Sequence, residues 1–219
     1  HPDERNRDGV VFLDGRRAAH IRDVLKRRPG DTVRMGVLDG PRGTGRVVRV
    51  GSEDIELFCE LEDPVPPAQP VDLILAMPRP KVMKRLWEQL AALGVGRIFI
   101  VNAVKVERCY FDTHWLHEKH YRPLLIRGLE QAGDTRVPLV QVRRRLRPFV
   151  EDDLNGLRQE TVRLLAQPGR AGPASLDLDG VERAVAAVGP EGGWTDFELD
   201  LLERNGFKRI GLGLRTLRC

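Results

Sequence analysis

No apolar run in the 219-residue sequence approaches the roughly 20 residues that a bilayer-spanning helix needs. The amino end is polar and charged, with no secretory core. Only three cysteines occur, Cys59, Cys109 and Cys219, widely spaced and without a CxxC pair. A disulfide framework and a thiolate zinc site are therefore not expected, which fits a reducing cytoplasm. Nucleotide fingerprints are also missing: no GK[ST] triplet occurs, and a GxGxxG pattern beginning at Gly211 fails because Thr216 stands where the third glycine belongs. These absences lead to the expectation of a soluble intracellular globular protein.

What is present is an uneven distribution of charge around a formal net value of +4. Residues 1–50 carry twelve Lys/Arg against seven Asp/Glu, while residues 51–70 carry six acids and no base. Eight Lys/Arg and two acids follow between Lys119 and Arg147, including Arg143, Arg144, Arg145 and Arg147. Clustered cations are rewarded by a polyanion, because each neutralised phosphate releases condensed counterions, so a nucleic acid is a candidate partner beside the simpler reading of a solvated face.

Two regions differ in periodicity. Residues 9–63 read as short strands at Val10–Leu13, Val33–Leu38, Arg46–Val50 and Ile55–Glu60, with a Gly-rich turn from Gly40 to Gly45 and a short helix over Arg16–Leu25 that turns Ala19 and Leu25 inward. Pro64, Pro66, Pro67 and Pro70 then make a stiff linker, which sets a domain boundary between residues 1–67 and 68–219. Beyond it strands and helices alternate. Strands are expected at Val71–Ala76, Arg97–Val101, Leu139–Val142, Val162–Ala166, Arg183–Val188 and Arg209–Leu212. A helix ending at Gly94 would place Val82, Leu86, Leu90 and Leu93 on one face. A helical stretch from about Thr113 to Ala132 stops at Gly133, with Pro123 either kinking it or opening a second helix. Thr195 and Glu198 form a capping box for a helix ending at Asn205–Gly206. Such alternation argues an α/β fold with a mostly parallel sheet.

The densest chemical signal is the loop Gly189-Pro190-Glu191-Gly192-Gly193, placed between a strand and a helix, where ligands of open α/β sheets bind. A second loop, Gly211-Leu212-Gly213-Leu214-Arg215, follows the next strand. Glycines there admit a ligand close to the main chain, although simple turn glycines look the same.

The stretch Gly189–Gly193, then Glu198, Gly206-Phe207 and Leu212-Gly213-Leu214-Arg215-Thr216-Leu217-Arg218, resembles the carboxyl-terminal signature of the RsmE family of 16S ribosomal RNA methyltransferases. Leu93-Gly94-Val95, Glu130-Gln131 and Val137-Pro138 resemble further family stretches, and residues 9–63 resemble its amino-terminal PUA-like barrel. The resemblance covers nearly the whole chain. It implies a SPOUT-type α/β knot, that is, a deep trefoil knot in a mostly parallel sheet, a homodimer in the cytoplasm, and transfer of the S-adenosylmethionine methyl group to N3 of a uridine. Carried over residue by residue, it puts the cofactor on Gly189, Glu191, Gly192 and Gly193, on Leu212, Gly213, Leu214, Arg215 and Leu217, and on Ala166, Gln167 and Pro168. Arg215 and Arg218 would meet RNA phosphate or the cofactor carboxylate. Glu191 could instead tie down its own loop.

The chain departs from the family at Gln89, Ala92, Cys109 and Asp134, where Lys, Glu, Ser and Arg are usual, and Arg136 is a candidate substitute for the last. Another RNA base, transfer RNA, or RNA binding without catalysis are alternative functions. His114, His117 and His120 recur every three residues, which allows a metal face but fits a wet or RNA-contacting helix surface better.

Overall fold

The computed structural model describes residues 6, 9–154, 161–168 and 180–211. It divides into two units, residues 1–67 with Leu129–Val137, and residues 68–128 with 138–219.

In the first unit, alternation of apolar and polar residues builds an antiparallel sheet in the order β1-β4-β3-β2. Its strands are β1 (Val10–Asp14), β2 (Thr32–Gly36), β3 (Arg42–Val50) and β4 (Asp54–Leu61). Val11, Leu13, Val33, Val47, Ile55, Leu57 and Cys59 point to one face and form the core with Ala18 and Ile21. The latter two belong to α1 (Gly15–Ala19) and its π-helical continuation His20–Val24. The inward pair is therefore Ala18 and Ile21; Ala19 is half-buried and Leu25 is 42% exposed, because the π turn shifts the buried stripe from the expected face. β3 starts at Arg42, earlier than expected. Gly43 and Gly45, which read as turn residues, are strand residues, and a Cβ on Gly43 would collide with the Glu60 main chain. β2 ends at Gly36, since Val37 donates to Pro41 O (2.9 Å) and Gly40 to Val37 O (2.8 Å), closing the turn there.

The segment Leu129–Val137 completes this unit. Thr135 is 4% exposed; its Oγ1 donates to Gly40 O at 2.7 Å and its carbonyl accepts from Asp39 N at 2.8 Å.

The second unit is a six-stranded, wholly parallel sheet of β5 (Val71–Ala76), β6 (Arg97–Val101), β7 (Leu139–Arg143), β8 (Thr161–Ala166), β9 (Arg183–Val188) and β10 (Phe207–Ile210), in the order β10-β8-β9-β5-β6-β7. The central strands are continuous apolar runs, as a sheet covered on both faces requires: Leu73 to Ala76 and Ile98 to Val101 are all buried. β10 begins at Phe207, two residues before the expected start, because the Phe207 side chain (3% exposed) anchors it in the core.

Helix α2 (Pro80–Ala92) carries proline at its first turn, where no N–H is missed. It ends in a Schellman motif: Gly94 lies at φ +77°, Gly94 N donates to Ala91 O (3.0 Å) and Val95 N to Leu90 O (3.1 Å). Its buried residues are Met83, Trp87, Leu90 and Ala91, so of the stripe expected from the sequence only Leu90 is buried; Leu93 is 78% exposed. The large Trp87 and Met83 take the core and rotate the helix by about one position. Helix α3 (Glu118–Ala132) follows 3-10 turns at Arg108–Asp112 and His114–Leu116, and Pro123 lies inside it. After the short α4 (Leu146–Pro148), α5 (Asp196–Arg204) opens on the capping box of Thr195 and Glu198.

Candidate functional site

Parallel strands deliver all their following loops to one edge, and ligands bind where neighbouring strands send their connections to opposite sides. In the second unit that point is between β5 and β9: α2 leads from β5 to β6 on one side, and α5 from β9 to β10 on the other. The residues outside these carboxyl ends are Met77–Arg79, Asn102–Val106, Gln167–Pro168 and Gly189–Trp194.

The glycine loop after β9 is held from several directions. Gly193 N donates to Pro190 O at 2.8 Å, making a tight turn, and Gly193 lies at φ +70° with no atom within 4 Å of a would-be Cβ. The indole of Trp194 lies against Gly189, 3.0 Å from the position its Cβ would occupy. Lys105 Nζ, from the loop after β6, donates to Gly192 O at 2.8 Å. The Glu198 carboxylate is 3% exposed and accepts from Thr195 N (2.8 Å), Thr195 Oγ1 (2.9 Å) and Val104 N (2.8 Å). A buried carboxylate with three donors is satisfied, and the charge assists each bond. Glu198 thus ties the loop after β9 to the loop after β6. That role falls to Glu198 and not to Glu191, which is exposed and pairs with none of the described residues.

Two buried polar atoms among the described residues flank this edge without a protein partner: Asn102 Oδ1 at the end of β6 and Trp194 Nε1 beside Gly189. Such atoms fit a site that receives a polar ligand. Gln167 N donates to Ile210 O at 2.8 Å, so Ala166, Gln167 and Pro168 lie where β8 leaves the sheet beside β10. The structure therefore brings Ala166–Pro168 and Gly189–Gly193 to one edge of one sheet. Leu212, Gly213, Leu214, Arg215, Leu217 and Arg218 lie outside the described residues.

Sequence reasoning missed Lys105, Val104 and a further cluster at the same edge. Tyr110 Oη donates to Glu107 Oε1 at 3.0 Å. Burial and then the Glu107 carboxylate raise the Tyr110 phenol above its ordinary 10.0, against the lowering effect of Arg79. No spacing rule links Arg79 to Tyr110; only the parallel pairing of β5 and β6 does.

Arg136 belongs to the first unit, where its guanidinium donates to Pro66 O (2.6 Å) and Asp39 O (3.2 Å). Asp134 is also internal there, accepting from Thr135 N (2.7 Å), Arg42 Nη2 (3.1 Å) and Arg136 N (3.4 Å). Much of the arginine run is engaged: Arg143 pairs with Asp153 (2.8 Å), Arg147 with Glu151 (2.9 Å), and Arg144 sits over the Phe111 ring. Among the described residues no group of three or more His, Cys, Asp or Glu is placed to hold a metal, and no helix is long and apolar enough to cross a membrane.

Fold and site define an α/β protein with a parallel sheet whose glycine loop and neighbouring loops gather at the carboxyl edge. Residues 65–219 match the profile of the RNA methyltransferase domain. The chain is 31% identical over 212 residues, 95% of this chain and 80% of the other, to ribosomal RNA small subunit methyltransferase E of Treponema pallidum. It is 25% identical, over 95% of this chain and 86% of the other, to ribosomal RNA small subunit methyltransferase E 1 of Borreliella burgdorferi. Its fold is similar to that of a Neisseria gonorrhoeae ribosomal RNA small subunit methyltransferase E bound to S-adenosyl methionine, with a TM-score of 0.73, 23% identity and coverage of 98% of this chain and 89% of that one. The chain belongs to the RsmE family of ribosomal RNA methyltransferases.

Proposed function

We propose that this chain transfers the methyl group of S-adenosylmethionine to N3 of a uridine in 16S ribosomal RNA of the small subunit, in the cytoplasm. The observation that carries the reading is the glycine loop at the switch point of the parallel sheet, fixed by Lys105 and Glu198 and flanked by two unpartnered buried polar atoms. Membership of the family supplies the reaction class.

The cofactor, when bound, supplies a methyl group on a sulfonium centre. Gly189, Glu191, Gly192 and Gly193 would hold it with Ala166, Gln167 and Pro168, and Leu212, Gly213, Leu214, Arg215 and Leu217 would close the pocket. Glycines let main-chain groups approach an adenosine closely, and a loop fixed before binding spends little order on doing so. Arg215 and Arg218 would meet RNA phosphate or the cofactor carboxylate, as a planar fork of donors suits either. Arg136 has a holding role in the first unit in this reading.

The same reading makes the first unit a PUA-like RNA-binding barrel, ties the carboxyl-terminal segment into a trefoil knot, and pairs two copies in a homodimer. Its support is the antiparallel sheet of residues 10–61 and the all-parallel order of the second unit.

Calorimetric titration with S-adenosylmethionine, repeated on Gly192→Trp, tests it. Binding by the parent and not by the variant, followed by methylation of uridine in 16S RNA, supports the reading. A folded parent that binds no S-adenosylmethionine would make the chain an RNA-binding relative without catalysis.

A further inference from the structure

Lys84, His114, Trp115 and His120 come from α2, a 3-10 turn and α3, and meet at one spot on the second unit. The His114 and Trp115 ring centroids are 4.4 Å apart, those of His114 and His120 4.9 Å, and those of Trp115 and His120 6.0 Å. Lys84 Nζ lies 4.8 Å from the Trp115 ring centroid. The cluster is anchored from below. Trp87, fully buried, donates from Nε1 to Trp115 O at 3.0 Å and packs on Tyr121 at 5.0 Å, while Trp115 N donates to Thr113 Oγ1 at 3.3 Å.

His114 and Lys84 are exposed, and Trp115 and His120 are half-buried. Burial first, and then the charges of His114, Lys119 and His117, hold the His120 imidazole below its ordinary 6.5. The spot therefore presents rings packed on one another beside Lys84, Lys119 and His117. Its neighbouring acid, Glu118, is already held by Arg122 at 3.2 Å. His114 and His120 meet edge to face beside an indole, and among the described residues no group of three or more His, Cys, Asp or Glu is placed to hold a metal.

We infer that this cluster is a contact surface for an unpaired stretch of RNA, with bases against the His114 and Trp115 rings and phosphates against Lys84 and Lys119. Rings fixed before binding suit base stacking, which tolerates any sequence because every base has a π face. Excess positive charge suits phosphate, because neutralising it releases condensed counterions. Paired RNA hides its base faces, so the fit is to a loop or a splayed strand. Lys84 lies about one turn from Pro80, where α2 leaves the carboxyl edge of β5. RNA seated there runs along the edge that carries the glycine loop. The inference rests on the RNA methyltransferase reading and adds a place for the nucleotides around the target.

The test is fluorescence anisotropy of the full chain with a short labelled oligouridylate and with a duplex RNA of equal length. The double variant Lys84→Gln/His114→Ala should bind the single strand roughly tenfold more weakly. Duplex affinity and S-adenosylmethionine affinity should stay at the parent level, and His114→Phe, which keeps a flat ring, should retain single-strand affinity. Parent-like single-strand binding by the double variant overturns the inference, as does an equal loss on duplex, which would reduce the surface to plain charge. A change in sedimentation of the double variant overturns it in favour of a second copy of the chain. Methyl transfer assayed alongside separates the two failures: transfer with unchanged single-strand affinity sinks this surface alone, whereas a parent without cofactor binding or transfer sinks the function on which it rests.

Discussion

Glu198 and Val104 stand 94 positions apart and are joined by a 2.8 Å hydrogen bond from the Val104 N–H to the carboxylate. Through it the start of α5 and the loop after β6 are fixed together, with the glycine loop between them. Glu198→Ala strips Val104 N and Thr195 N of their acceptor and removes half of the capping box. The expected loss is about 3 kcal/mol by urea denaturation, from buried donors left unpaired and a weakened cap. S-adenosylmethionine affinity should also fall under conditions where the variant is folded. Glu198→Gln, which keeps one acceptor, should recover part of both.

At the other end of the same sheet the Asp72 carboxylate, fully buried, accepts from Arg97 Nε at 2.9 Å and Arg183 Nη1 at 2.8 Å, stitching β6, β5 and β9. Asp72→Ala leaves two guanidinium groups, each 28% exposed, facing each other without a counter-charge. About 3 kcal/mol should be lost, the low end for a broken buried pair because both partners reach water. Cofactor affinity of the folded variant should be unchanged, since this clamp lies at the amino ends of the strands. An affinity loss equal to that of Glu198→Ala would contradict the separate roles given to the two carboxylates.

Gly189→Ala brings a methyl group to 3.0 Å from the Trp194 indole. The indole has to shift, at a cost of about 1–3 kcal/mol for overpacking. A changed tryptophan emission and weaker cofactor binding should accompany it. Gly193→Ala meets no neighbour but is strained at φ +70°, so about 1 kcal/mol is expected from the backbone alone.

Acid should weaken the first unit through Asp134. Burial raises its pKa, but the Thr135 N–H, the Arg42 guanidinium and the Arg136 N–H together outweigh that and hold it below the ordinary 3.8. A depressed carboxyl contributes stability above its unfolded value and loses it as pH falls through the folded one. Thermal denaturation followed from pH about 5 downward should show a decline beginning near pH 4. Asp134→Asn should be less stable at pH 5 and flatter across the same range.

The sequence was most informative where one local rule decided the outcome. β5, β6 and β9 are apolar runs between clear breakers, and they occupy the residues expected of them. Thr195 and Glu198 cap α5 as their spacing requires. Where two rules competed it misled. Val82, Leu86 and Leu93 fit a helical stripe as well as Met83 and Trp87 do, and only the volume of the indole against the sheet decided between them. Gly43 and Gly45 signalled a turn, yet they are strand residues that let β4 approach. In the site, the glycine loop was legible from its residues alone. Its fastenings, Lys105 and Val104, were not, because they are set by which strand lies beside which. Asp134 stood out as a reversed charge where the family usually has arginine; its partners are the main chain beside it and Arg42.

The first unit is assembled from two stretches of chain that the gene keeps far apart, residues 1–67 and Leu129–Val137. Asp39, Gly40, Arg42 and Pro66 depend for their hydrogen bonds on Asp134, Thr135 and Arg136. A recombination event at the proline-rich junction would deliver only part of this module, and a segment copied out up to Pro67 would arrive without the strap that finishes it. Moving this unit to another gene as one continuous cassette would therefore leave behind the partners of Asp39, Gly40, Arg42 and Pro66.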